Sequence, residues 1–153
     1  MCLAKNRRPI QCGTVRVAFV VRKRITEVPV QPFNTPRGTI LVSTPEATAL
    51  DLVGYAHHVG GVDNIATVLS ELAEKIDPEK LVAAAEAAPV AWAQRPGYIL
   101  EVIGNEKYAA LRAHVQQHAK HTVALVSSGP RERFRRNRDW KLFLNAEIDV
   151  ESL

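Results

Sequence analysis

Apolar residues occupy every second position over residues 13–21, which is typical of a strand with one buried face. An extended piece at 26–30, broken by Pro29, and an apolar run at 39–42 flank the stretch 33–38. That stretch is rich in Pro, Asn and Gly, the residues that favour tight turns. The pattern therefore predicts one strand followed by a hairpin in the first third of the chain.

After residue 43 the apolar spacing changes to that of helices. Ser43 and Glu46 have the spacing of a capping box, and Pro45 between them suits a first helical turn. The helix that begins here is predicted to end before Gly60 and Gly61, because paired glycines favour a turn.

Further helical segments are predicted between residues 62 and 119. Ile65, Leu69, Leu72 and Ile76 lie on one stripe of the first segment, so this stripe is expected in the core. Pro96 is expected to kink a later segment or to begin a new helix there, because proline cannot donate the backbone hydrogen bond of a helix interior.

The chain returns to strand patterns near its end, at 122–126 and at 141–148, with a loop over 127–140 between them. Strands on either side of a block of helices predict an α+β fold. We expect a mixed sheet of about five strands, a central block of about five helices and a single domain over residues 10–150. Residues 1–9 are expected to form a flexible basic arm.

Charge is distributed unevenly along the 153 residues, although the net charge is only +4. Residues 1–24 hold seven Lys or Arg and no acid, and residues 131–141 hold six basic and two acidic residues. These two basic segments either meet in space as a surface for a polyanion or form separate solvated loops. The residues expected to contact nucleic acid are Arg22, Lys23, Arg24, Arg131, Arg133, Arg135, Arg136 and Arg138.

Sequence motifs for phosphate loops, dinucleotide binding, zinc proteases and serine hydrolases are missing from the chain. No run of 18 apolar residues predicts a membrane span, and the two widely spaced cysteines fit the reducing cytoplasm. We therefore predict a cytoplasmic protein, and these motifs assign it no catalytic residue and no metal site.

Two patterns bear on metal chemistry. His114, His118 and His121 would share one face of a continuous helix, as metal ligands or as an ordinary exposed helix end. Asp51 is the acid that a metal-dependent nuclease could use, but the strand-borne Glu-x-Lys that such a site needs is missing.

Several segments of the sequence resemble AbiEi-type antitoxins, over about residues 10–150. The most specific segment is Ser43-Thr44-Pro45-Glu46-Ala47-Thr48-Ala49-Leu50-Asp51-Leu52. The other segments are Gly13 to Phe19, Thr35 to Gly38, Gly60 to Leu69, Ala93-Gln94-Arg95, Gly97-Tyr98 and the ending Trp140 to Ile148.

The resemblance implies the antitoxin and transcriptional-regulator half of a type IV toxin–antitoxin, or abortive-infection, system. Its implied partners are operator DNA and a nucleotidyltransferase-type toxin, which it neutralises without a stable complex. It implies neither enzymatic activity nor a cofactor. Family members carry an N-terminal winged helix that binds the operator, and no such segment is recognised before residue 10, so DNA binding is expected to need that missing domain.

Three functional hypotheses follow from these observations. The first is a non-enzymatic antitoxin and regulator module that acts through its basic surface. The alternatives are a cryptic metal-dependent nuclease and a protein-interaction domain whose acidic helices or basic loop bind a partner.

Overall fold

The first part of the chain forms small sheets. The computed structural model describes residues 2–3, 5–130 and 135–150. Strand β1 runs parallel to β4, and β2 and β3 pair in antiparallel register. The bounds of these strands are β1 Cys2–Leu3, β2 Ile10–Cys12, β3 Val15–Val17 and β4 Val20–Val21.

A β-hairpin follows, formed by β5 (Val30–Thr35) and β6 (Gly38–Ser43). Its register places Thr35 opposite Gly38, so Pro36 and Arg37 form the tip. Gly38 has a φ of 127°, a conformation that side chains with a Cβ rarely adopt. A hairpin is present as predicted, but its first strand lies at Val30–Thr35, partly where the turn was expected, and not at 26–30; there Ile25–Glu27 forms a short 3₁₀ helix.

Five α-helices occupy the middle of the described chain. The turn expected after the first of them is present, since Gly60 and Gly61 both adopt positive φ. The helices are α1 Pro45–Gly54, α2 Val62–Ala73, α3 Pro78–Glu86, α4 Ala91–Val102 and α5 Tyr108–His118.

Helix α4 continues through Pro96, so the expectation that proline begins a new helix there is wrong. Pro96 is buried in the helix interior. Proline removes a single helical donor, and the packing of α4 against α1, α2 and α5 stabilises the helix despite that loss.

The capping-box prediction at the start of α1 is also wrong in its details. Thr44 is the N-cap residue, and its hydroxyl accepts a hydrogen bond of 3.3 Å from the backbone N–H of Ala47. The hydroxyl of Ser43 instead shares a hydrogen bond of 2.7 Å with that of Thr48. Glu46 is buried and reaches another helix.

The chain ends in a three-stranded sheet with the order β7-β9-β8, in which β7 is parallel and β8 antiparallel to β9. The α+β class is therefore confirmed. The described strands form four separate small sheets, however, and not one mixed sheet of about five strands. The strands are β7 Val123–Ala124, β8 Arg135–Asn137 and β9 Leu142–Leu144, and β8 lies where a loop was expected.

The hydrophobic core is built from the helices and the C-terminal sheet. It extends from Ala49 to Leu142 and includes the predicted residues Ile65, Leu69 and Ile76, and the predicted Leu72 packs against it half-buried. Strands β2 to β6 contribute no residue to it, and their apolar side chains are largely exposed. Leu41 of the hairpin, for example, is 71% exposed.

Candidate functional site

The first basic segment is attached to the helices through Arg22. Its guanidinium forms an ion pair with Asp51 of α1 and lies over the ring of Trp92 of α4, 5.7 Å from the ring centroid. The Arg22 side chain is only 13% exposed. Arg22 therefore anchors the segment to the helices, and Asp51, the acid that a nuclease could use, is its counter-charge.

Lys23 and Arg24 follow this anchor and are exposed to solvent. Arg24 forms an ion pair of 2.7 Å with Glu27, three residues further on. Both basic residues line a cavity of about 620 Å³ between the segment and helices α1, α3 and α4. Because Glu27 and Glu86 line the same cavity, its cationic side is partly neutralised.

The second basic segment is partly described. Arg135 and Arg136 belong to β8, Arg138 follows it, and all three side chains are exposed. The guanidinium of Arg136 lies 5.0 Å from the ring centroid of Phe143 on β9, a favourable cation–π distance. Arg131 and Arg133 lie outside the described residues.

Each basic segment acts on a different side chain of helix α4. Trp92 lies under Arg22, whereas the positive charge of Arg135 acts on the Tyr98 hydroxyl. Burial is the main influence on that hydroxyl and raises its pKa above the ordinary value of 10.0, while Arg135 acts in the opposite direction. Trp92 and Tyr98 are six residues apart, which is about 9 Å along a helix axis.

The segment Ala93-Gln94-Arg95 of α4 connects the helices to the C-terminal sheet. The Gln94 side chain is buried, and its amide donates to the backbone carbonyls of Trp140 and Lys141, each at 3.0 Å. The Nε of Arg95 donates to the carbonyl of Ala124 on β7 at 3.0 Å. These polar side chains position the sheet that carries Arg135 and Arg136.

Trp140 is fully buried against the same helix. Its indole N–H donates to the carboxylate of Glu101, which also forms an ion pair with Arg112 of α5. A Cβ on Gly97 would lie 2.1 Å from Cζ3 of Trp140. Glycine is therefore required at residue 97 for the indole to pack directly on the backbone of α4.

Asn145 fixes the turn that leads into the second basic segment. Its side-chain oxygen accepts from the backbone N–H of Val126 at 2.8 Å, and its amide donates to the carbonyl of Val126 at 2.7 Å. The amide also lies 3.3 Å from the carbonyl of Pro130. Sequence reasoning placed Asn145 in the resemblance but did not recognise this positioning contact, since it joins two distant segments.

The three histidines do not share one helix face. Helix α5 ends at His118, and His121 lies beyond it, where its carbonyl accepts from Gln94 at 3.2 Å. His114 is buried, and burial lowers its pKa, with a smaller effect of the same sign from His118. Within the described ranges, no three His, Cys, Asp or Glu side chains gather closely enough to hold a metal ion.

A comparison with known protein families shows which family this chain belongs to. The sequence model of the AbiEi antitoxin C-terminal domain matches residues 1–102. The chain belongs to the AbiEi antitoxin C-terminal domain family. The AbiEi match ends at Val102, the last residue of α4, so Gln94, Arg95 and Gly97 fall within it, and the C-terminal sheet lies beyond it.

A solved structure supports the fold of this AbiEi domain. The crystal structure of the RV2827C protein from Mycobacterium tuberculosis matches with a TM-score of 0.51 and 16% sequence identity. The match covers 66% of this chain and 34% of the RV2827C chain. It therefore spans about a third of the length of the RV2827C chain. No curated protein matches the chain. In the described residues, no helix is both long and apolar enough to span a membrane.

Proposed function

We propose that this chain is the antitoxin and transcriptional-regulator module of a type IV toxin–antitoxin system, acting in the cytoplasm and without enzymatic chemistry. Membership of the AbiEi antitoxin family carries the proposal. Its partners are a nucleotidyltransferase-type toxin, which it neutralises without a stable complex, and operator DNA, which it binds together with a winged-helix domain.

The basic surface of this proposal consists of the exposed residues Lys23, Arg24, Arg135, Arg136 and Arg138. Arginine side chains bind phosphate oxygens through two parallel hydrogen bonds, and those of Arg135, Arg136 and Arg138 are exposed to solvent. In this proposal Arg22 anchors the first basic segment to the helices, and Arg131 and Arg133 extend the basic surface.

Binding to the promoter DNA upstream of the gene tests the DNA role. In a fluorescence-anisotropy titration at several salt concentrations, affinity should fall steeply with salt, because each phosphate contact releases counterions. The double change Arg135→Gln and Arg136→Gln should weaken binding and lower the salt slope by about 1 for each phosphate that the variant no longer neutralises.

Arg37→Gln removes one positive charge at the exposed tip of the hairpin, outside the basic surface, and is the charge-matched control for Arg135→Gln or Arg136→Gln made singly. It should leave the affinity nearly unchanged. Binding that does not depend on salt, or equally weakened binding in the Arg37 and the Arg135/Arg136 variants, would show that the basic surface does not hold DNA.

Co-expression with the toxin encoded beside this gene tests the antitoxin role separately. Restored growth by the wild-type chain, with no toxin retained on it in a pull-down, is the expected result. Failure to restore growth would rule out the antitoxin role even if the chain binds DNA. Cleavage of DNA or RNA by the purified chain with Mg²⁺ or Mn²⁺ would contradict the proposed absence of enzymatic chemistry.

A further inference from the structure

A second cavity, of about 140 Å³, shares no described lining residue with the first and lies where the end of α1, the start of α2 and the middle of α4 meet the residues after β7. Its inner wall is apolar and buried, formed by Val53, Ile65, Ile99 and Leu125. Its polar groups come from Arg95, His57, Ser127 and Ser128. An apolar wall with a few converging polar groups is typical of a small-ligand site.

Arg95 is the charged group of this cavity, and it differs from the other half-buried arginines. Arg22 and Arg112 each form an ion pair with a carboxylate. Within the described part of the chain, Arg95 pairs with no acid, and its Nε bond to the Ala124 carbonyl is its one hydrogen bond. Its partial burial lowers its pKa from the ordinary value. A half-buried cation without a counter-charge is costly, so an anion at its terminal nitrogens would be stabilised.

The polar side of the cavity is held in place before any ligand arrives. The bond from Nε to Ala124 fixes the plane of the Arg95 guanidinium. Asn145 holds both backbone groups of Val126, immediately before Ser127 and Ser128. A site whose groups are already fixed binds with a smaller loss of conformational entropy.

The start of helix α2 also lines the cavity, through Gly61 and Val62. Asp63 in the first turn of α2 offsets the partial positive charge of this helix start, so Arg95 is the group that attracts an anion.

We propose that this cavity, named the Arg95 pocket, binds a carboxylate carried on a short branched aliphatic chain. The guanidinium of Arg95 and the hydroxyls of Ser127 and Ser128 receive the carboxylate, and Val53, Ile65 and Ile99 surround the chain. A planar guanidinium matches the two oxygens of a carboxylate, and the apolar wall disfavours a compact anion such as phosphate. The proposal does not depend on the antitoxin or DNA role.

Nuclear magnetic resonance of the isotope-labelled full chain tests the proposal, with isovalerate as the probe. The Ile65 and Ile99 methyl signals and the Arg95 Nε–H signal should shift together and saturate, with a Kd of about 1 mM or tighter. Isovaleramide, which has the same shape without the charge, and inorganic phosphate, which lacks the chain, should each bind at least about tenfold more weakly.

Three variants locate the binding. Arg95→Gln should weaken isovalerate binding at least about tenfold, whereas Arg37→Gln, which removes an exposed arginine outside both the pocket and the basic surface, should not change it. Ala56→Leu fills the pocket from its lining and should abolish binding while Arg95 remains. If Arg95→Gln does not fold, the Ala56→Leu variant tests whether isovalerate binds in the pocket.

A comparison of isovalerate with the peptide acetyl-Gly-Val identifies the source of the carboxylate. Tighter binding of isovalerate indicates a free acid, and tighter binding of the peptide indicates the C-terminus of a polypeptide; both support the pocket. Shifts that do not saturate, equal binding of isovaleramide, tighter binding of phosphate, or unchanged binding by the Ala56→Leu variant would each overturn the proposal.

Discussion

The carboxylate of Glu46, in the first turn of α1, accepts a hydrogen bond of 2.9 Å from the backbone N–H of Asp77, the residue before α3. Asp77 in turn caps α3, because its side chain accepts from the backbone N–H groups of Glu79 and Lys80 at 2.9 and 3.1 Å. The hydrogen bond from Lys80 is the main cause that lowers the pKa of Asp77. Two residues thus connect the starts of two helices.

Replacement of Glu46 by alanine should therefore reduce the free energy of unfolding by about 1–3 kcal/mol, because the Asp77 N–H would be left without its partner. Glu46→Gln retains an acceptor oxygen and should be less destabilised. Urea unfolding followed by circular dichroism measures both. Equal destabilisation of the two variants would show that the hydrogen bond to Asp77 is not what stabilises this helix pair.

Thr44 caps helix α1 in place of the expected Ser43, and this gives a second prediction. Thr44→Ala should cost about 1 kcal/mol, because it removes the oxygen that caps α1. Ser43→Val removes a hydroxyl outside the cap and leaves Thr48 partly satisfied by solvent, so it is the comparison variant. A larger destabilisation of the Ser43 variant than of the Thr44 variant, measured by urea midpoints, would place the cap at Ser43 after all.

Two leucines distinguish the core from the exposed hairpin. Leu69→Ala should cost about 2–5 kcal/mol, because the side chain is fully buried and its removal leaves a cavity. Leu41→Ala should change stability by less than about 0.5 kcal/mol, because Leu41 is exposed. Comparable decreases in the free energy of unfolding in the two variants would mean that the hairpin is packed in solution.

Glycine-to-alanine changes probe the surroundings of the two tryptophans. Gly97→Ala places a Cβ against the fully buried Trp140, which cannot move aside, and should cost about 1–3 kcal/mol despite the better helix propensity of alanine. Gly54→Ala meets Trp92, which is only half-buried and can shift, so its destabilisation should be smaller. Thermal unfolding of the two variants tests this order, and the reverse order would contradict it.

His114 makes stability dependent on pH. Burial lowers its pKa in the folded protein from the ordinary 6.5, so below pH 6.5 the unfolded chain binds the proton more readily. The stability contributed by neutral His114 is fully present above pH 6.5 and is lost as the pH falls through the lower folded pKa. Glu86 opposes the shift, and His118 adds to it.

Urea midpoints measured across this pH range for the wild type and for His114→Gln check the effect. The variant should show a smaller decrease in stability below pH 6.5, whereas His57→Gln, on an exposed histidine, should retain the full decrease. Identical pH profiles for the wild type and the His114 variant would show that the buried imidazole does not cause the decrease.

Local sequence patterns predicted the helices better than they predicted which residues form hydrogen bonds with each other. Ser43, Thr44 and Glu46 indicated a helix start correctly, but which hydroxyl caps the helix depends on backbone geometry within a single residue. Glu46 had the spacing of a local cap, and its actual partner lies 31 residues away. Pro96 opposed a continuous helix locally, and the packing of both helix faces outweighed the loss of one hydrogen bond.

The basic segments show the same difference between what the sequence predicts and what the structure shows. Charge counting located them, but it could not show that Arg22 is held by Asp51 while Lys23 and Arg24 remain exposed. Nor did the sequence single out Arg95 as a cation without an acid, because that property depends on what every other segment places beside it. The pocket around Arg95 was therefore not predicted.

By itself the sequence determined the helices, the hairpin, the apolar stripe of α2 and the resemblance to AbiEi antitoxins, because periodicity, turn residues and motif order are local properties of the chain. The tertiary structure decided the division into four small sheets, the packing of Gly97 against Trp140, and the pairing of Glu46 with Asp77. Those features depend on interactions between residues far apart in sequence, which form only when the whole core packs.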